Sequence, residues 1–148
     1  MNRIQDNYLR WLNSTIVSNK DKEILKNMSE EEKREYAWQH AIIVDGFDPN
    51  LYRKDACGAW MRWDMYGQQD NIFGWQVDHI FPICRGGDDH PENLRALQHQ
   101  NNASKGDDYP SYEALITAQD NTNVEQRRSL IVNEIKRQQL EEIYSNNA

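Results

Sequence analysis

Polar and apolar residues alternate through Trp75-Gln76-Val77-Asp78-His79-Ile80, a run rich in β-formers with the two-residue period of a strand. Pro82 and then Arg85-Gly86-Gly87 end it, because proline cannot feed a ladder and paired glycines permit a sharp loop. Asn93-Leu94-Arg95-Ala96-Leu97 predicts a second short strand, and Gln98 to Ser104 a helix stopped by Gly106. Upstream the period lengthens. Ile4, Tyr8, Leu12 and Ile16 form a helical stripe over 3–17, with Trp11 beside it, and 21–28 continues with Ile24, Leu25 and Met28. Ser29 with Glu32 is a capping-box pattern, and Glu30, Glu31 and Glu32 suit the positive end of a helix running to about Ala41. Its inward face would be Tyr36, Ala37, His40 and Ala41. Asp45-Gly46-Phe47-Asp48-Pro49 marks a turn. Residues 51–66 read as an extended pair or loop over the strand–loop–strand–helix unit, with Trp60 and Trp63 packing there, and 67–74 as an exposed loop.

After Lys105, Gly106-Asp107-Asp108-Tyr109-Pro110 reads as a linker. Ser111 predicts a short helix through about Ala118. Thr122 with Glu125 predicts a second capping box, opening a final helix that carries Val124, Ile131, Ile135 and Ile143, with Leu130 and Leu140 alongside. The expected fold class is therefore α+β: a mostly helical single domain over 1–148, with N-terminal helices in 1–50, a core unit in 51–108 and C-terminal helices in 109–148.

The 148 residues match the size of one ordinary domain. Mean hydropathy is −0.97, and no apolar run approaches the roughly 18 residues of a membrane span. Met1-Asn2-Arg3-Ile4-Gln5-Asp6 lacks the apolar stretch of a signal peptide, so a cytoplasmic location is expected. Cys57 and Cys84 are too few for a disulfide framework. They are expected as reduced, buried thiols, with a single disulfide as the alternative. Net charge is −7 and the isoelectric point about 5.0. This opposes tight, non-specific binding to nucleic acid, because phosphate contacts supply most such affinity. The acidity is uneven, however. Residues 51–106 carry 6 basic and 7 acidic side chains, against 4 and 8 in 107–148. The central unit is near neutral, and a bound divalent cation would make it positive. That balance fits a weak, metal-dependent or partnered binder.

Asp78, His79, Asn93 and Asn102 are the polar residues that a strand–loop–strand–helix unit would bring together. An imidazole titrates near pH 6.5 unperturbed and serves as a general base at neutral pH. Adjacent side chains on a strand point to opposite faces, so Asp78 and His79 share one site only where the strand ends or distorts.

The whole register resembles the HNH endonucleases. The DH pair (Asp78-His79), the Asn 14 residues on (Asn93), the third letter nine further (Asn102), Pro82, Gly86-Gly87, Asn93-Leu94-x-x-Leu97 and Lys105-Gly106-Asp107 all fall in place. So does the upstream Arg53-Lys54-Asp55-Ala56-Cys57-Gly58-Ala59-Trp60. The resemblance covers 52–108 and implies a ββα-metal (His-Me finger) motif of H-N-N type. It implies His79 as general base, Asn93 holding that imidazole in orientation, and Asp78 and Asn102 as oxygen ligands to one Mg²⁺ or Mn²⁺ ion. Lys105, Arg95, Arg85 and Arg62 are the candidate phosphate contacts. Gln98 and Asn101 stand where zinc-binding members have cysteines, so no structural zinc is expected.

The competing readings are structural. Asn93 follows Pro91-Glu92 and could be turn chemistry. Asn101, or His99 one turn before, could replace Asn102 as a ligand. Lys105 could only cap its helix. Trp60 and Trp63 could stack on bases rather than pack, and His40 and His90 look structural or exposed. The function expected is a DNA endonuclease, a hydrolase that leaves a 5′-phosphate. The alternatives are a catalytically silent binding module of the same fold and an RNA-cleaving effector. Partners expected are DNA and no membrane, with a protein partner or a second copy docked through the C-terminal helix.

Overall fold

The computed structural model describes residues 27–145. The expected helix over 3–17 lies outside them. Among the described residues the chain runs α1 (Glu30–Gln39), β1 (Tyr52–Lys54), β2 (Trp60–Arg62), β3 (Trp75–His79), β4 (Leu94–Gln98), α2 (His99–Lys105), β5 (Ser111–Gln119), β6 (Thr122–Ile131) and α3 (Glu134–Tyr144). The six strands form three separate antiparallel hairpins, β1–β2, β3–β4 and β5–β6. Strand and helix take comparable shares of the described residues, so the mostly helical expectation is overturned.

The error lies in 111–131. Tyr112, Ala114 and Ile116 are buried, and the exposed or half-buried residues lie between them, which is a two-residue period. Asp120, at φ +52°, and Asn121 make the tight turn that returns the chain. Thr122 opens β6 rather than a helix, and its pattern with Glu125 caps nothing. The final helix is short and begins only at Glu134, with Asn133 as its cap. It packs through Leu140 and Tyr144, while Ile135 is 71% exposed.

At Ser29 the capping box forms as read. Its hydroxyl accepts from Glu32 N, and Glu32 Oε1 accepts from Ser29 N. Behind that cap, α1 buries Tyr36, Ala37 and Trp38 on the β3–β4 hairpin. Ala37, Trp38, Met61, Trp75 and Ala96 form one apolar cluster there, with Trp63 and Val77 against it. Trp60 is 3% exposed, and its Nε1 donates to Asp120 O at the β5–β6 turn. These contacts place Trp60 and Trp63 in packing roles. A second cluster joins Ile80, Phe81 and Leu97 to Tyr112, Ala114, Val132, Leu140 and Tyr144 of the C-terminal elements. Cys57 lies in it, and burial pushes its thiol up to about 12. Cys84 is exposed, contrary to the expectation that both thiols are buried.

One buried carboxylate joins the hairpins. Asp55, 1% exposed, accepts from Cys57 N and Ala59 N on Oδ1 (2.9 and 2.8 Å), closing the β1–β2 turn. Its Oδ2 accepts from Gln98 N (3.0 Å) and Asn101 Nδ2 (3.1 Å), at the β4–α2 junction. Asn101 carries the link onward. Its Oδ1 accepts from Leu115 N and Ile116 N, both at 2.8 Å, where a bulge interrupts β5. Gln98 Oε1 accepts from Gln100 N and Asn101 N and so caps α2. Gln98 and Asn101, with Asp55, thus build a hydrogen-bonded joint.

Removing the carboxylate would strand buried donors, each of which costs about 1–3 kcal/mol when left unpaired. Asp55→Ala is expected to lose at least about 3 kcal/mol in urea unfolding. A loss below about 1 kcal/mol would contradict this role.

Candidate active site

β3 places its side chains on two faces. Trp75 and Val77 point to the α1 cluster, whereas Gln76 and Asp78 point to α2. His79 follows the alternation and lies on the α1 side. Its ladder partner Leu94 packs there with Met28 and Tyr36.

On that side, His79 Nε2 meets Asp89 Oδ1 at 2.7 Å. Asp89 lies in the loop between β3 and β4, and its Oδ2 pairs with Lys33 Nζ of α1 at 2.8 Å. Burial would raise the Asp89 pKa, but hydrogen bonds from His79 and Lys33 outweigh it and hold the carboxyl below its ordinary value. Burial likewise opposes the charge on Lys33, and Asp89 and Glu30 outweigh it, leaving that pKa raised. An ionised carboxylate can only accept, so the imidazole carries its proton on Nε2. In the neutral ring Nδ1 would be the unprotonated nitrogen, able to take a proton.

Asn93 does not touch the imidazole. Its Oδ1 accepts from Phe81 N (2.7 Å), and its Nδ2 donates to Phe81 O and Asp88 O (both 3.0 Å). It fixes the backbone two residues beyond His79 and the carbonyl just before Asp89. Asp88 is held from the other side, its Oδ1 accepting from Tyr144 Oη at 2.6 Å. The imidazole and the Asp89 carboxylate are therefore positioned by α1, α3 and the loop together.

On the α2 face, Asp78 is 5% exposed. Its Oδ2 accepts from Arg95 Nε at 3.0 Å, and its Oδ1 lies 3.3 Å from Lys105 Nζ. Lys105 Nζ also donates to the His79 carbonyl at 3.2 Å. Arg95 lies over the Tyr112 ring, 5.1 Å from its centroid. Asn102 Nδ2 donates to Gln76 Oε1 at 2.6 Å. The structure thus brings Asp78, Lys105 and Arg95 into one cluster, with Asn102 and Gln76 on the same side. It sets the His79 imidazole apart from them.

His99 opens α2, half-buried, with its backbone N bonded to Gly74 O. Arg85 is exposed, and its Nη1 donates to Tyr109 O. Arg62 pairs with Asp64 at 2.7 Å. His90 is buried as a cap, its Nδ1 accepting from Glu92 N. Sequence reasoning missed Asp89, Lys33 and Gln76. The alternation of strand faces was the signal that His79 needed a partner other than Asp78.

A strand–loop–strand–helix unit here carries a carboxylate-held imidazole at the end of its first strand. Residues 68–111 match the family model described as HNH endonuclease. HNH domains are generally nucleases that use a divalent metal. No curated protein and no solved structure matches the chain. No described helix is long and apolar enough to cross a membrane.

The lowered Asp89 pKa has a definite sign. Its carboxylate adds stability that is fully present above the unfolded value, near 3.9, and is lost as pH falls through the lower folded value. Urea unfolding of the wild type and of Asp89→Asn should show a gap at pH 7 that closes toward pH 3. A gap of constant size would contradict the assignment.

Proposed function

We propose that this chain is an endonuclease that hydrolyses the phosphodiester backbone of DNA. The observation that carries the proposal is the His79–Asp89 pair, an imidazole held at Nε2 by a carboxylate inside the matched segment. His79 takes a proton from water at Nδ1 while Asp89 holds Nε2. The hydroxide attacks phosphorus, the bond to the 3′ oxygen breaks, that oxygen takes a proton from solvent water, and the imidazolium returns its proton to solvent. The products are a 5′-phosphate and a 3′-hydroxyl. Asn93 acts indirectly, by fixing the backbone that carries both partners.

Mg²⁺ or Mn²⁺ is part of this reading. The donor set at the α2 face fits it: a carboxylate (Asp78), a carboxamide oxygen (Asn102) and the His79 carbonyl are hard oxygens, and the Lys105 ammonium already lies against two of the three as a stand-in cation. Asp78 and Asn102 would hold the ion. When bound, it supplies Lewis-acid polarisation of the phosphate and charge for the leaving oxygen. Of the four cations expected at phosphate, Arg85 is exposed and bonded to a carbonyl rather than to a carboxylate. Arg95 and Lys105 are committed to Asp78, and Arg62 to Asp64.

One observation favours a second reading, a catalytically silent module that binds nucleic acid or a protein: both oxygens of Asp78 are already paired with cations, half-buried Arg95 and buried Lys105. Supercoiled plasmid and a single-stranded RNA, digested side by side with Mg²⁺ or Mn²⁺, separate the readings. Plasmid is expected to be cut, and His79→Ala to be slower by about 10²–10⁴-fold. Equal rates for variant and wild type would remove His79 from the mechanism. A DNA gel shift without cleavage under any divalent ion would establish the silent module, and preferential RNA loss would reassign the substrate.

A further inference from the structure

We propose that the Lys105 ammonium is the resident counter-cation of Asp78, which a divalent ion must displace, so that ion binding is weak in the free protein and strengthens when a phosphate arrives. This rests on the reading of Asp78 as an ion ligand.

Lys105 ends α2 with a side chain 0% exposed. Its ammonium lies 3.3 Å from Asp78 Oδ1 and 3.2 Å from the His79 carbonyl, with a weaker contact to Gly106 O at 3.5 Å. Asp78 Oδ2 is bonded to Arg95. One carboxylate thus answers two cations, leaving a net positive charge before any ion arrives. A divalent ion seated on the same carboxylate would meet both like charges at close range.

The two cations are held differently. The Arg95 guanidinium lies over Tyr112, on the strand facing Asp78, and is half-buried in the hairpin. Lys105 sits at a helix end followed by Gly106 at φ +51°, on a flexible four-carbon stem. Asn102, three residues earlier, shares its helix face, so withdrawal of the ammonium would open Asp78 toward that carboxamide. The positive charge left by Arg95 and the ion would then be balanced by the substrate phosphate. The displaced ammonium becomes free to reach the same phosphate. The two expectations for Lys105, helix-end residue and phosphate contact, become two states of one side chain.

The test is Mn²⁺ binding to the full chain, followed by isothermal calorimetry and by the electron paramagnetic resonance of free Mn²⁺, with circular dichroism as the check on folding. Lys105→Met removes the charge and keeps the length, and Lys105→Gln serves if Met does not fold. The variant is expected to bind Mn²⁺ at least about tenfold more tightly than the wild type, a lower bound for releasing one unit charge beside the ion. Adding Asp78→Asn should abolish that gain. In the His79→Ala chain, a short DNA duplex should tighten Mn²⁺ binding while Lys105 is present. Unchanged Mn²⁺ affinity in the Lys105 variants, or a gain that survives Asp78→Asn, would overturn the proposal. Neither readout needs turnover. If plasmid is not cut yet Lys105→Met gains affinity through Asp78, the nuclease reading fails alone. If plasmid is cut in a His79-dependent way and no gain is seen, the counter-cation proposal fails alone.

Discussion

The Asp55 carboxylate is the constraint on which the rest depends. A buried acid is costly unless donors surround it, and here four N–H groups from three parts of the chain do so. They fix the β1–β2 turn, the end of β4 and the start of α2 relative to one another. Asn101 passes the link to the β5 bulge. Three two-stranded hairpins, each marginal alone, thereby become one scaffold. The position of α2 against β3, and so the whole α2-facing cluster, follows from that joint.

On this scaffold β3 keeps two kinds of chemistry apart. A strand cannot turn neighbouring side chains the same way, so Asp78 and His79 work on opposite faces. The α1 face holds the imidazole with Asp89 and Lys33, and the α2 face holds Asp78 with Arg95 and Lys105. On each face the carboxylate is paired with cations of the protein, one on the α1 face and two on the α2 face. This answers the difficulty posed by a net charge of −7. Asp55, Asp78, Asp89 and Glu92 lie in the central segment, and each is tied to N–H donors or cations of the protein, Glu92 to Lys136 at 2.8 Å. They contribute little to the field that an approaching phosphate would meet.

Much of this was legible in the sequence where local and global signals agree. The alternation from Trp75, the stop at Pro82 and the glycine pair define β3 and its loop, and Ser29 with Glu32 starts α1 where it was read. The C-terminal third was misread because Thr122 with Glu125 looks like a cap, while the burial of alternate residues in β5 is decided by Asn101 and by the core around Leu140. At the site, the register located Asp78, His79, Asn93 and Asn102 along the chain. Their partners could not be read, because Asp89 and Lys33 reach His79 from a loop and a helix with no fixed spacing to it. The role of Asn93 became backbone clamping once its partners were visible.

The central claim is that the His79 imidazole is held at Nε2 by Asp89 and stays bare at Nδ1, apart from any ion. Long-range ¹H–¹⁵N correlation of the histidine rings, with and without Mg²⁺, tests it most directly. A protonated Nε2 and an unprotonated Nδ1 for His79, unchanged on adding Mg²⁺, is the result predicted. A proton on Nδ1, or a ring nitrogen that shifts on binding the ion, would contradict the account.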